Sequence, residues 1–206
     1  MTKPTNEDTE QDHVAAMKAL QALHRKTLKA AKDAERGLVL VHTGDGKGKS
    51  SSAFGVIARA LGWGHDVAVV QFIKGKWETG ERKFFAGFPE QLVWHTMGEG
   101  FTWDTQNRER DVAAAEKAFA MAQQLMCSGN FDLLVLDEIN IATQFEYLAV
   151  NAVIESLQQR SNRTSVILTG RGADQDLIDY ADLVTEMREI KHPFQAGIKA
   201  QQGIDF

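Results

Sequence analysis

The run Val39-Leu40-Val41-His42-Thr43-Gly44-Asp45-Gly46-Lys47-Gly48-Lys49-Ser50 constrains this chain more than any other stretch. An apolar, β-branched segment stops at Thr43, glycines alternate through the following turn, and a lysine with hydroxyl residues opens a helical pattern. Strand, glycine loop, helix is the context in which a phosphate-binding loop works. Glycines let the backbone turn its N–H groups toward an anion, and the helix start adds unpaired donors and partial positive charge. In that reading Gly44, Asp45, Gly46, Lys47, Gly48 and Ser51 form the cradle, Lys49 reaches phosphate oxygens, and the Ser50 hydroxyl ligates a divalent ion. The usual pattern has glycine five residues ahead of the Gly-Lys pair, and Thr43 stands there instead. The competing reading is a Gly-rich turn with a solvated lysine. It has to explain both the spacing of Gly48-Lys49-Ser50 and the elements on either side.

Downstream, apolar runs alternate with helical periods. Helices are expected over residues 51–61, 81–85, 106–126, 146–159 and 174–180, and strands over 67–72, 92–95, 131–136, 164–169 and 183–190. Val67-Ala68-Val69-Val70 is apolar on both faces, as an interior parallel strand requires, whereas the charges in the last strand suit a sheet edge. The alternation predicts an α/β fold. Its mostly parallel central sheet would carry helices on both faces around a P-loop nucleotide-binding (RecA-like) core, with the ligand outside the strand carboxyl ends.

Three further stretches reach that edge. Asp137-Glu138 ends an apolar run, where a carboxylate beside a phosphate loop holds the shell of a magnesium ion; an ordinary acidic turn is the alternative. Adjacent strand residues point in different directions, so the two should divide their roles. The direct or water-mediated metal contact is expected of Asp137, and an orienting role of Glu138. Arg171, between Gly170 and Gly172, reads either as a contact to phosphate or ribose oxygens or as a solvated turn residue. Phe101 and Trp103, in a glycine-bracketed loop, are either plugs for the core or a platform for a flat ligand.

Composition excludes several classes. At 206 residues the chain fits one full core plus modest additions: a polar N-terminal extension, 1–36, and a nucleotide-binding domain, 37–206. Residues 1–12 are acidic and expected to be disordered when free. Residues 13–32 are basic, with Val14, Met17, Leu20 and Leu28 on one helical arc. A solvated helix, a basic arm, and a cover over a ligand or neighbouring subunit all fit that pattern. A net charge of −5 argues against a general nucleic-acid binder. Cys127 stands alone, so neither an intrachain disulfide nor a thiolate metal site can form from this chain. No run approaches transmembrane length and the N-terminus is polar rather than signal-like, so no membrane partner and a cytoplasmic location are expected. Physics alone stops at an ATP- or GTP-dependent protein, because hydrolases, kinases and motors share this core.

The separated motifs are more specific. Residues 44–51 together with Gln71-Phe72-Ile73-Lys74-Gly75, residues 100–107, Val135-Leu136-Asp137-Glu138, Thr169-Gly170-Arg171-Gly172, residues 190–197 and the terminal Gln202-Gly203-Ile204-Asp205-Phe206 resemble the ATP:corrinoid adenosyltransferases of cobalamin synthesis and salvage. The resemblance covers residues 36–206. Members of that family usually carry Thr where Ser50 stands; serine keeps the hydroxyl.

The resemblance implies transfer of the 5′-deoxyadenosyl group of ATP to Co(I) of a corrinoid such as cobalamin, cobinamide or cobyrinic acid a,c-diamide, with release of tripolyphosphate. It also implies Mg²⁺ or Mn²⁺, a homodimer, and a flavoprotein or other reductase as electron donor. The nucleotide would lie reversed relative to ordinary P-loop hydrolases, with Lys49, Ser50, Asp137 and Glu138 acting on the departing polyphosphate. Phe101 and Trp103 would crowd the lower face of the corrin and displace an axial ligand from Co(II). The rival is a P-loop NTPase that couples ATP hydrolysis to a protein or nucleic-acid partner.

Overall fold

The computed structural model describes residues 6–73, 79–97 and 107–205. The chain divides into two compact units, Met1–Glu35 and Arg36–Phe206. The first holds one helix, α1 (Asn6–Ala30). It starts inside the acidic stretch that the sequence reading leaves disordered, where carboxylates suit the positive end of a helix.

The second unit is built on six strands: β1 (Val39–Thr43), β2 (Val67–Gln71), β3 (Leu92–Thr96), β4 (Leu133–Asp137), β5 (Ser165–Thr169) and β6 (Leu183–Glu186). They form one sheet in the order β3-β2-β4-β5-β1-β6, and every pairing is parallel. The helices between them are α2 (Lys49–Gly62), α3 (Gly80–Phe85), α4 (Arg108–Cys127), α5 (Ile139–Gln144), α6 (Val150–Gln158) and α7 (Gln175–Tyr180), with a short 3₁₀ turn at Pro193–Ala196.

Strand alternation produces two cores. Val41, Ala68, Val70, Leu134, Leu136, Val166 and Leu168 pack with Phe119, Met126, Val153 and Leu177 of α4, α6 and α7. Val67, Val69, Leu133, Val135 and Ile167 pack with Phe54, Ile57 and Phe85 of α2 and α3 on the other face. Connections that step toward β3 therefore cross one face and those that step back toward β6 cross the other, as right-handed crossovers demand. At the amino ends of the strands, Arg163 pairs with Asp132 and Asp66, and Arg36 pairs with Asp182.

Two elements differ from the expected pattern. The helix anticipated over residues 146–159 is preceded by a separate one, α5, and Glu146 adopts a left-handed turn (φ 57°) between α5 and α6. The expected last strand stops at Glu186, because Met187 and Arg188 turn across the glycine loop instead of extending the sheet. It does lie at the sheet edge.

Candidate functional site

The strand order puts three chain ends side by side. β5 lies between β4 and β1, so Asp137, Thr169 and Thr43 finish on adjacent strands at the same edge. The chain leaves β1 toward the α2 face and leaves β5 toward the α7 face. Neighbouring strands whose connections diverge open a crevice at their carboxyl ends.

In the loop from β1 to α2, Gly44 (φ 93°) and Gly48 (φ 111°) are left-handed. Gly46 is not, yet it is equally constrained. A β-carbon there would stand 2.7 Å from the carbonyl carbon of Arg188, and one at Gly44 would stand 2.4 Å from the oxygen of Met187. The Gly46 amide donates to Met187 O at 2.7 Å. This wall of 187–188 fixes the loop from outside. Among the described residues the amides of Lys47 and Gly48 have no acceptor, and the first turn of α2 adds its own free donors.

Lys49 is 8% exposed, and its Nζ folds back to donate to Gly46 O at 2.6 Å. Burial pushes the ammonium pKa below its usual range; Glu138 and Asp45 pull it up, and Arg171 pushes it down. Ser50 is half-buried in the same turn, and Ser51 and Asp45 are exposed. His42 is buried beneath the loop, its Nδ1 3.3 Å from Lys49 O, and desolvation lowers its pKa. The Thr43 hydroxyl accepts the Ala173 amide at 3.1 Å, which ties the loop to the segment after β5.

The two carboxylates divide sharply. Asp137 is buried, and both its oxygens accept from the protein: Oδ1 from the Thr169 hydroxyl at 2.8 Å and Oδ2 from Gln71 Nε2 at 3.0 Å. Glu138 has a left-handed backbone (φ 64°) and opens α5. Its Oε2 is buried without any hydrogen-bond partner among the described residues. Desolvation first, and Asp137 second, raise its pKa to about 7, against the pull of Lys49 and Arg171. A β-carbon at Gly170 would stand 3.1 Å from that same oxygen, so the glycine makes room for it.

The electrostatic influence of Arg171 on both Lys49 and Glu138 puts its exposed guanidinium in the same field. Lys47 points outward and pairs with Asp205 near the C-terminus. An open hollow of about 420 Å³ beside the first turns of α2 is lined by Ser51, Phe54, Gly80, Phe84, Gly203 and Ile204. Phe101 and Trp103 lie outside the described residues.

Sequence reasoning quoted Gln71 and Thr169 within motifs but gave them no role, and it passed over Asn140. The Asn140 side chain is fully buried and donates to His42 O at 3.4 Å and Gly170 O at 3.1 Å, locking α5 to the ends of β1 and β5. The available signal was a polar residue at the end of each apolar run. No cluster of three or more His, Cys, Asp or Glu side chains among the described residues could hold a metal alone. No described helix is long and apolar enough to cross a membrane.

Comparison with known proteins agrees with this geometry. A family model described as ATP:corrinoid adenosyltransferase BtuR/CobO/CobP matches residues 35–206. The chain is 52% identical over 203 residues to a corrinoid adenosyltransferase of Pseudomonas aeruginosa, covering 98% of this chain and 100% of that one. It is 50% identical over 184 residues to one from Sinorhizobium sp, covering 88% and 86%. A third, from Escherichia coli K12, is 45% identical over 172 residues, covering 84% and 87%.

Proposed function

This chain belongs to the ATP:corrinoid adenosyltransferase family, and we propose from that premise how its strand ends perform the transfer. The enzyme moves the 5′-deoxyadenosyl group of ATP onto the cobalt of a reduced corrinoid. The electron pair of Co(I) forms the cobalt–carbon bond while the bond from C5′ to oxygen breaks, and tripolyphosphate leaves. No proton moves, so no general base is needed. What the protein must supply is charge stabilisation on the leaving group, from donors already in place.

The glycine loop acts as a P-loop in a RecA-like core, cradling the polyphosphate on the amides of Lys47 and Gly48 and the first turn of α2. Lys49 gives up its bond to Gly46 O for a phosphate oxygen, a move its short reach and burial favour. Arg171 meets the same anion from the side of β5. Lys47 is a further phosphate contact once released from Asp205.

The residues fit a divalent cation. An unpartnered buried carboxylate oxygen on Glu138 and the Ser50 hydroxyl are the two protein oxygens such a site needs, since Mg²⁺ completes its shell with phosphate and water. Bound Mg²⁺ or Mn²⁺ would neutralise charge on the polyphosphate. Of the direct or water-mediated contact expected of Asp137, the direct form is less suited, because both its oxygens already accept protein hydrogen bonds. Its role is to orient, and that of Glu138 is to ligate.

The family resemblance would have Phe101 and Trp103 crowd the lower face of the corrin. Residues 37–206 hold the transferase domain, and 1–36 an extension whose α1 leaves Val14, Met17, Leu20, Leu23 and Leu28 exposed. That apolar arc suits contact with a second copy in a homodimer. A flavoprotein or other reductase supplies the last electron, in the cytoplasm, where ATP and reducing power meet.

The observation that carries this reading is the buried, unpartnered Glu138 oxygen within the electrostatic reach of Lys49. Anaerobic incubation with ATP, Mg²⁺ and chemically reduced cobalamin should yield the carbon–cobalt product and tripolyphosphate in equal amounts. Inorganic phosphate released without corrinoid would favour the hydrolytic rival instead.

A further inference from the structure

The end of β2 carries a polar side chain that the transfer chemistry does not call for. Gln71 Oε1 accepts from the Trp94 indole N–H at 2.9 Å and from the Thr96 hydroxyl at 3.2 Å, and its Nε2 donates to Asp137 Oδ2 at 3.0 Å. An indole nitrogen can only donate. Flipping the amide would therefore set donor against donor at Trp94, so the indole dictates which way Gln71 faces.

The row continues beyond Asp137. Its Oδ1 accepts the Thr169 hydroxyl proton, and the Thr169 oxygen accepts the Glu138 amide at 3.0 Å. One unbroken set of hydrogen bonds thus crosses the carboxyl ends of β3, β2, β4 and β5 and stops at the backbone of Glu138. That backbone is left-handed, which strains a residue with a β-carbon and has to be held in place. With its proton committed to Asp137, Thr169 keeps a lone pair aimed at the Glu138 amide. If Asp137 loosens, the hydroxyl is free to rotate and the amide loses its acceptor.

We propose that Gln71, its amide set by Trp94, is a positioning residue: through Asp137 and Thr169 it holds the turn that presents the Glu138 carboxylate to the glycine loop. This rests on the reading of Glu138 as a cation ligand given above. Gln71 bonds to Trp94, Thr96 and Asp137 and not to Glu138 itself. It acts at two removes.

The test is Mn²⁺ binding to the protein with ATP and no corrinoid, followed by the electron paramagnetic resonance of the free ion, alongside melting curves. Gln71→Met keeps length and loses all three hydrogen bonds; Mn²⁺ affinity should fall about tenfold while the protein stays folded. Trp94→Phe keeps an aromatic ring against Phe54 and Phe85 but removes the indole donor, and should cost about threefold. Should Gln71→Met fail to fold, Trp94→Phe decides alone. Adding Gln71→Met to Asp137→Asn should weaken binding no further, because the route is already cut.

Full additivity in that double variant overturns the proposal. So does unchanged affinity in folded Gln71→Met, or in Trp94→Phe where that variant decides, while Glu138→Gln binds Mn²⁺ weakly. If Glu138→Gln itself binds normally, the cation assignment falls and takes the relay with it.

Discussion

The amide of Gly46 donates to the carbonyl of Met187 at 2.7 Å, and Met187 donates its own amide to Thr43 at 2.8 Å. Two segments far apart in sequence thus close on one another at the mouth of the site. The glycines of the loop serve this closure as well as any ligand, and an alanine series separates the two duties.

Gly44→Ala meets both a left-handed backbone and a wall at 2.4 Å, so it should destabilise the fold by roughly 3 kcal/mol. Gly46→Ala meets only the wall, at 2.7 Å, and should cost about 2 kcal/mol. Gly48→Ala meets no atom closer than 3.4 Å and should cost about 1 kcal/mol from its backbone alone. Urea unfolding of the three variants gives the order. Equal midpoints for Gly46→Ala and wild type would mean the 187–188 wall yields freely.

Lys49→Ala should leave the sheet intact and slow the chemical step about 100-fold, because a charge aimed at the leaving group is lost. Single-turnover adenosylation with Co(I) supplied chemically measures that step apart from ATP affinity. A normal rate in a folded variant would remove Lys49 from the mechanism.

Glu138 makes a prediction about stability. Its folded pKa, about 7, lies above the ordinary value of 4.5, so the native apoprotein holds a proton that the unfolded chain releases. Stability should therefore fall as pH rises from 4.5 to 7 and stay lowered above that window. Glu138→Gln removes the penalty and should gain roughly 2 kcal/mol at pH 8, with no gain at pH 4, while abolishing transfer. Melting curves of the metal-free proteins at the two pH values test it. A variant less stable than wild type at pH 8 contradicts the assignment of burial as the cause.

Phe101→Ala and Trp103→Ala should lose the four-coordinate Co(II) species in the ATP complex, with a smaller effect when Co(I) is supplied directly. Excluding an axial ligand calls for apolar bulk, which both rings have and alanine lacks. Electron paramagnetic resonance of bound Co(II) reads the coordination, and a melting curve excludes simple loss of packing. An unchanged four-coordinate signal in the folded double variant would rule the exclusion out.

Much of this was legible in the chain. The apolar run at Val67 predicts an interior strand and the one at 131–136 a strand; both strands are there, and β2 is buried along Val67–Val70. Gly48-Lys49-Ser50 locates a loop-to-helix junction from three residues, because only such a junction places a lysine and a hydroxyl in the first turn of α2. The gaps have a common cause: partnership across strands is set by sheet order, which composition does not encode. Gln71 and Asp137 are opposite one another only because β2 neighbours β4. The same holds for Thr169, which serves Asp137 because β5 lies beside β4. Strand geometry predicts that Asp137 and Glu138 divide their roles, with the metal contact expected of Asp137; which oxygen stays unpartnered depends on those neighbours, and the roles proposed for the two are therefore reversed. Met187 was unreadable for a further reason: nothing in a short charged strand announces that the next two residues will press on a loop made about 140 residues earlier.

That long interval bears on synthesis. The glycine loop emerges first, and its outer wall follows about 140 residues later. A nascent chain ending before β6 would present Gly44 and Gly46 with no surface to turn against, and a Thr43 carbonyl without its Met187 donor. The outer support of the loop would arrive only after β6, and not with the glycine motif itself.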